Sequence, residues 1–168
     1  MFKPIKLTKL SKKYYCSLKT KYPPNLKYNK NKIAKLGMWD SKTKQFTNEH
    51  LYNYINISDD HNAIHVSEEY AAKTKFKRPI FHGMVTASLV SGIFGMQFPG
   101  EGTIYLSQTL NFKKPVYVHD NTITAYVQLI NSNNKNILEF NTEFYNQNNE
   151  LVLDGKALVM APKDFIVE

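Results

Sequence analysis

One cysteine, one tryptophan and one arginine occur in 168 residues, and no acidic residue precedes Asp40. A lone cysteine, Cys16, excludes a disulfide framework and a CxxC zinc site, and its place in the N-terminal segment leaves no thiol nucleophile in the body of the chain. Long apolar runs are also missing. The longest, residues 83–98, is too short and too rich in Gly, Ser and Thr to cross a bilayer, so no membrane span is expected. "NIS" at 56–58 matches a glycosylation sequon but stands without a secretory signal.

The absence of early acids explains the net charge of +8. Residues 1–39 carry eleven lysines, whereas the remainder sets eleven basic residues against all fourteen acids. The globular part is therefore mildly acidic, and no nucleic-acid partner is expected for it. Residues 1–36 are basic, hydroxyl-rich and acid-free, which are features of a mitochondrial transit peptide, although such leaders favour arginine and this one has none. A retained basic arm touching nucleic acid or membrane is the competing reading. The leader is expected to end between Tyr28 and Gly37, leaving residues 37–168 as one domain in the mitochondrial matrix. A hydrophobic content of 42% is enough to give that domain a core.

Helical signals come first. Thr47 is placed to cap a helix over 46–57, with Leu51, Tyr54 and Ile55 at helical spacing. Ser67, followed by Glu68 and Glu69, starts another over 66–74. The uncharged "GMVTASLVSGIFGMQ" (83–97) reads as one long buried helix. From "PGEG" at 99–102 the period changes to two. Ile104, Leu106, Gln108, Leu110 and Phe112 share one face. Strands follow with Ile123, Ala125, Val127 and Leu129 inward, then Leu138, Phe140, Thr142 and Phe144, and finally "LVLDGKALVM" (151–160). Asparagine-rich turns separate them. Helices followed by consecutive strands predict an α+β fold, an antiparallel sheet with a central helix against it.

The chemistry concentrates in "SDDHNAIHVS" (58–67), which is expected to be a shaped loop and not a helix. His61 and His65 stand at i, i+4 as zinc ligands do, but the glutamate of H-E-x-x-H is missing and no metal is assigned. A polar surface loop is the plain alternative. The third reading is acid–base catalysis by Asp60 and His65, with "HG" at 82–83 opening the apolar helix. There the free N–H of Gly83 would stabilise an oxyanion.

"SDDHNAIHVS" resembles the hydratase motif S-G-D-x-N-P-L-H-x-D of the MaoC-like, R-specific enoyl-CoA hydratases. The likeness continues through "KFKRPIFHGMVTASLVSGIFG" and "PGEGTIYLSQTLNFKKPVYVHD", over about residues 40–162. Within that family the chain looks most like the mitochondrial 3-hydroxyacyl-thioester dehydratases of type 2. The resemblance implies a hot-dog fold, a homodimer, no cofactor, and reversible dehydration of (R)-3-hydroxyacyl thioesters carried on acyl carrier protein or coenzyme A. A non-catalytic hot-dog subunit is the alternative of another class.

Carried over by the motif, Asp60 and His65 are the catalytic pair and the Gly83 N–H is the oxyanion donor, with Asn62, Ser91 and His82 in support. The acyl chain is expected along Met84, Leu89 and Phe94, for each of which a plain core role serves equally. Gln108 either lines the pocket or ends a buried stretch. Lys73, Lys75, Lys77 and Arg78 either meet carrier or coenzyme phosphates or form a solvated face. Two departures from the motif stand out. Asp59 replaces its glycine and Ala63 its proline.

Overall fold

The computed structural model describes residues 18, 20–119, 122–133 and 135–168. Cys16 and most of the expected leader lie outside the described residues. The elements in chain order are β1 (Ile33–Ala34), β2 (Trp39–Gln45), α1 (Asn48–Ser58), α2 (Ala63–Val66), α3 (Glu68–Ala72), α4 (Gly83–Ala87), α5 (Leu89–Met96), β3 (Ile104–Gln108), β4 (Asn111–Phe112), β5 (Thr122–Ser132), β6 (Ile137–Asn146), β7 (Leu151–Met160) and β8 (Ile166–Val167).

Period-two patterning builds the sheet. Strands run β2-β5-β6-β7-β3, all antiparallel, with β4 also on β7. Ile123, Ala125, Val127 and Leu129 of β5, and Leu138, Phe140, Thr142 and Phe144 of β6, are fully buried on one face, as the alternation predicts. That face receives α5, which packs against β2, β5 and β3. Phe94 and Phe98 meet the Phe140 ring at 5.0 and 5.1 Å.

The helix expected over 83–97 is two segments meeting at Ser88. Ser88 Oγ donates to the Val85 carbonyl at 2.7 Å, and the Ser91 N–H bonds back only three residues, tightening the turn. It is not buried all round, because Met84, Ser88, Ser91 and Met96 face outward. The expected 103–112 strand is likewise interrupted. A register shift falls between Tyr105 and Ser107, and the chain breaks again before β4. Thr109 crosses β7 where Gly155 leaves room, since a Cβ there would lie 1.8 Å from the Thr109 carbonyl oxygen. Ile104, Leu106 and Phe112 are consequently exposed on the sheet's edge.

Residues 20–36 do not behave as a detached linker. Tyr22 and Tyr28 are each 4% exposed. Tyr22 stacks on Tyr126 at 4.3 Å, and its hydroxyl donates to Glu143 at 2.6 Å beside the Lys21 ammonium. Tyr28 stacks on Phe98 at 4.2 Å, and the Trp39 indole N–H donates to the Pro23 carbonyl at 2.9 Å. β1 pairs in parallel with β8, and Lys32 pairs with Asp164. Buried Asp40 accepts from the Ser41 N–H at 2.8 Å and lies 4.0 Å from the Lys27 ammonium. A domain starting at residue 37 would lose all of these contacts except the Ser41 bond to Asp40.

Candidate active site

α1 closes with Asp59 in the left-handed region, φ 55°. This is where the motif has glycine, which adopts that conformation freely, whereas Asp does so with some strain. The turn projects Asp60 away from α1. Asn62 Oδ1 then accepts the Ile64 N–H at 3.1 Å and caps α2. Residues 63–66 are therefore a helical turn, where an irregular loop is expected from sequence. With Asp60 ahead of that turn and His65 inside it, the side chains converge, His65 Nε2 lying 3.9 Å from Asp60 Oδ2.

The 80–82 segment orients both imidazoles. His65 Nδ1 lies 2.7 Å from the Ile80 carbonyl, so the N–H sits on Nδ1 and the Nε2 lone pair faces Asp60. His82 Nε2 lies 3.0 Å from the Asp60 carbonyl and donates to it. The two rings stack at 3.7 Å, and Tyr54 packs on the outer side of His82 at 4.9 Å. Burial is the main reason that the His82 pKa is lowered below 6.5, and neighbouring His65 adds to it. The hydrogen bond to the Asp60 carbonyl and the Asp60 charge oppose it without prevailing. His82 is thus neutral at neutral pH, a structural support for the Asp60 loop and the His65 ring.

Asp60, His65 and His82 bring ligand-type atoms within 4.8 Å of one another. Both Nε2 atoms lie near Asp60 Oδ2, at 3.9 Å for His65 and 3.6 Å for His82, but His82 Nε2 is already hydrogen-bonded to the Asp60 carbonyl. The geometry suits proton transfer better than coordination. His61, exposed, is not part of the cluster.

Gly83 begins α4, and its N–H makes no backbone hydrogen bond among the described residues. A Cβ at this position would lie 2.3 Å from the Phe112 ring, so glycine is what lets Phe112 approach. Beside this contact opens a cavity of about 750 Å³ that His65, Gly83, Met84, Thr86, Val116 and Leu153 help to line. This lies within the usual range for small-molecule sites. A base and a free backbone donor thus line one cavity, and the Asp60 carboxylate stands 3.9 Å from that base.

The family follows from this. Residues 34–150 match the model of the MaoC like domain. The chain belongs to the MaoC-like family. It is 40% identical over 121 residues to an (R)-specific enoyl-CoA hydratase of Aeromonas caviae, covering 71% of this chain and 90% of that protein. It is 36% identical over 134 residues to a mitochondrial 3-hydroxyacyl-[acyl-carrier-protein] dehydratase of Arabidopsis thaliana, covering 77% and 79%. The solved structure of the A. caviae (R)-hydratase superposes with a TM-score of 0.73 at 39% identity, covering 76% of this chain and 96% of that one. The fold is the hot dog that the resemblance implied.

The other MaoC-like expectations separate by position. Met84 lines the cavity, but Leu89 and Phe94 do not; they are core, with Phe94 edge-on to Tyr105 at 5.3 Å. Gln108 is also away from the cavity lining, and its amide donates to the buried Thr142 hydroxyl at 3.0 Å. Ser91 lies on the exposed face of α5 and is not brought to Asp60 or His65. Of the four cations, Lys75 alone lines the cavity. Lys73 pairs with Glu69 at 2.6 Å, Lys77 turns to the Ala72 carbonyl, and Arg78 lies over the Tyr117 ring at 4.4 Å.

Lys113 and Lys114 join Lys75 at the cavity. Sequence reading passed over them because Lys113 sits 35 residues beyond Arg78, the end of the basic run, in "NFKKPVY". Phe112 and Thr86 were missed too. The visible signal for Thr86 was a single hydroxyl in the apolar "GMVTA".

Proposed function

We propose that this chain reversibly removes water from (R)-3-hydroxyacyl thioesters to give trans-2-enoyl thioesters. The observation that carries the reading is that His65 and the free Gly83 N–H line one cavity while Asp60 Oδ2 lies 3.9 Å from His65 Nε2. The C2 proton of a thioester is weakly acidic, so the base must act while charge grows on the thioester oxygen. His65, with its Nε2 lone pair presented by the Ile80 carbonyl, takes the C2 proton. That proton passes to Asp60, 3.9 Å from His65 Nε2, which delivers it to the departing C3 hydroxyl. The Gly83 N–H stabilises the thioester oxygen, an interaction worth on the order of 10²–10³ in rate. Hydration runs the same steps backwards.

The carrier is acyl carrier protein in mitochondrial fatty-acid synthesis, with coenzyme A as the alternative. Lys75, Lys113 and Lys114 support a phosphate-bearing arm of either kind. The basic N-terminal residues and the mitochondrial relatives support import. Exposed Ile104, Tyr105 and Leu106 on edge strand β3, beside Met160, support a homodimer, since an uncovered apolar edge favours pairing with a second copy. No described helix is long and apolar enough to cross a membrane.

The test follows enoyl absorbance with the full chain and (R)- and (S)-3-hydroxybutyryl thioesters of both carriers. Turnover with one hand of substrate only is the expected result. Folded protein inactive on both carriers would overturn the reading and favour a non-catalytic acyl-binding subunit.

A further inference from the structure

Thr86 is 2% exposed and lines the cavity one turn beyond Gly83, yet its hydroxyl makes no hydrogen bond with any described residue. A helical threonine has a ready partner in a carbonyl one turn back. Ser88, two residues later, takes that option. Thr142, as deeply buried, is met by Gln108. Leaving a buried hydroxyl unmet is destabilising, and valine would fill the same volume without that cost. The other unmet buried side-chain atom among the described residues is His82 Nδ1, four positions earlier on the same helical side. Elsewhere the cavity wall is apolar, apart from His65, Tyr117 and the exposed lysines.

We propose that the Thr86 hydroxyl is a substrate contact that hydrogen-bonds the oxygen on C3 of the bound acyl group. The inference rests on the dehydratase reading and adds the group that selects the 3-hydroxyacyl form. With the thioester oxygen at the Gly83 N–H, three residues of helix rise of about 4.5 Å separate that donor from Thr86. This is of the order of the spacing between a thioester oxygen and an oxygen on C3. Asp60 handles the proton, and Thr86 holds the oxygen that leaves as water.

The test compares Thr86→Val and Thr86→Ser in the full chain. The probes are (R)-3-hydroxybutyryl-CoA, but-2-enoyl-CoA and butyryl-CoA, the last a competitive inhibitor without the C3 oxygen. Thr86→Val is expected to raise KM for the hydroxyacyl substrate about three- to tenfold, the size of one net hydrogen bond. The inhibition constant of butyryl-CoA should stay within about twofold on the same argument. Because the equilibrium constant is fixed, kcat/KM falls equally in both directions; the enoyl KM should hold and the hydration kcat should fall. Thr86→Ser should restore the wild-type pattern, and the melting temperature of Thr86→Val should not drop. Hydroxyacyl and butyryl affinities that weaken together, or neither changing, would overturn the proposal. A wild-type chain without turnover would overturn the dehydratase reading separately. Calorimetric affinities of the same two thioesters would then still test the Thr86 preference, and binding of neither would end it.

Discussion

Cutting the chain at residue 37, where the leader was expected to end, should cripple the domain. The magnitude follows from what residues 20–36 bury. Tyr28 is 4% exposed and stacked at 4.2 Å on Phe98. Truncating a buried aromatic to alanine costs about 3–5 kcal/mol, so Tyr28→Ala should lower the melting temperature by about 6–20 °C. Tyr22→Ala removes a second such ring, and Tyr22→Phe removes only the hydroxyl donated to Glu143, worth about 1–3 kcal/mol. Deleting residues 1–36 combines both ring losses with removal of Lys27 from buried Asp40. Whole domains are stable by only about 5–15 kcal/mol, so residues 37–168 should fail to fold cooperatively or aggregate. The assay is urea unfolding of the full chain and of the fragments 20–168 and 37–168. A cooperative transition for 20–168 and a collapsed one for 37–168 are expected. A 37–168 fragment unfolding at the same midpoint as 20–168 would refute the reasoning, and any processing site would then be free to lie after residue 28.

Three further outcomes follow from the same geometry. Asp59→Gly should raise stability by about 0.5–1 kcal/mol in denaturant unfolding, because φ 55° strains Asp and suits Gly; a destabilised variant would show that the Asp59 side chain has a role of its own. Gly83→Ala drives a Cβ into the Phe112 ring, so stability should fall by about 1–3 kcal/mol and turnover should fall with it. Adding Phe112→Ala should recover part of the stability, and strictly additive effects would contradict the contact. Glu143 is the acid-sensitive clasp point. Burial pushes its pKa up, but hydrogen bonds from Lys21, Tyr22 and Tyr145 outweigh burial and leave it below 4.5. Its folded-state pKa is depressed, so its stabilisation is present above pH 4.5 and is lost as pH falls through the lowered value. Glu143→Gln should be less stable than wild type above pH 4.5 and converge on it in acid; a constant gap would contradict the linkage.

What the sequence disclosed, and what it hid, divides along the range of the interactions. Thr47 and Ser67 start helices where their spacing says they should, because capping is local. β5 and β6 alternate cleanly, since each strand packs one face on the core. β2 went unread because "WDSKTKQ" is a polar edge strand, buried mainly at its first two residues. Residues 20–36 looked like a leader because lysine counts carry no information about Tyr22 and Tyr28 finding partners more than 60 residues away. The strand face ending at Gln108, Leu110 and Phe112 lost its phase to a bulge and a break that only the pairing with β7 reveals.

The site divides the same way. Asp60, His65 and Gly83 were legible because one short motif and one dipeptide hold them. Lys113, Lys114 and Phe112 reach the cavity from a distant part of the chain, and Thr86 stands out only once its missing partner is seen. Leu89 and Phe94 show the converse, since apolar residues on a central helix serve the core first.

The central claim is that Asp60 and His65 act as one proton-transfer pair at the Gly83 N–H. The measurement that tests it most directly is steady-state turnover of (R)-3-hydroxyacyl thioesters by wild type, Asp60→Asn, His65→Gln and the double variant, each checked for a wild-type fold by circular dichroism. Each single change should cost about 10²–10⁴ in kcat. The double should cost little more than the worse single, because groups acting as a unit are not additive. Near wild-type kcat in either single variant, or losses that multiply in the double, would contradict the account.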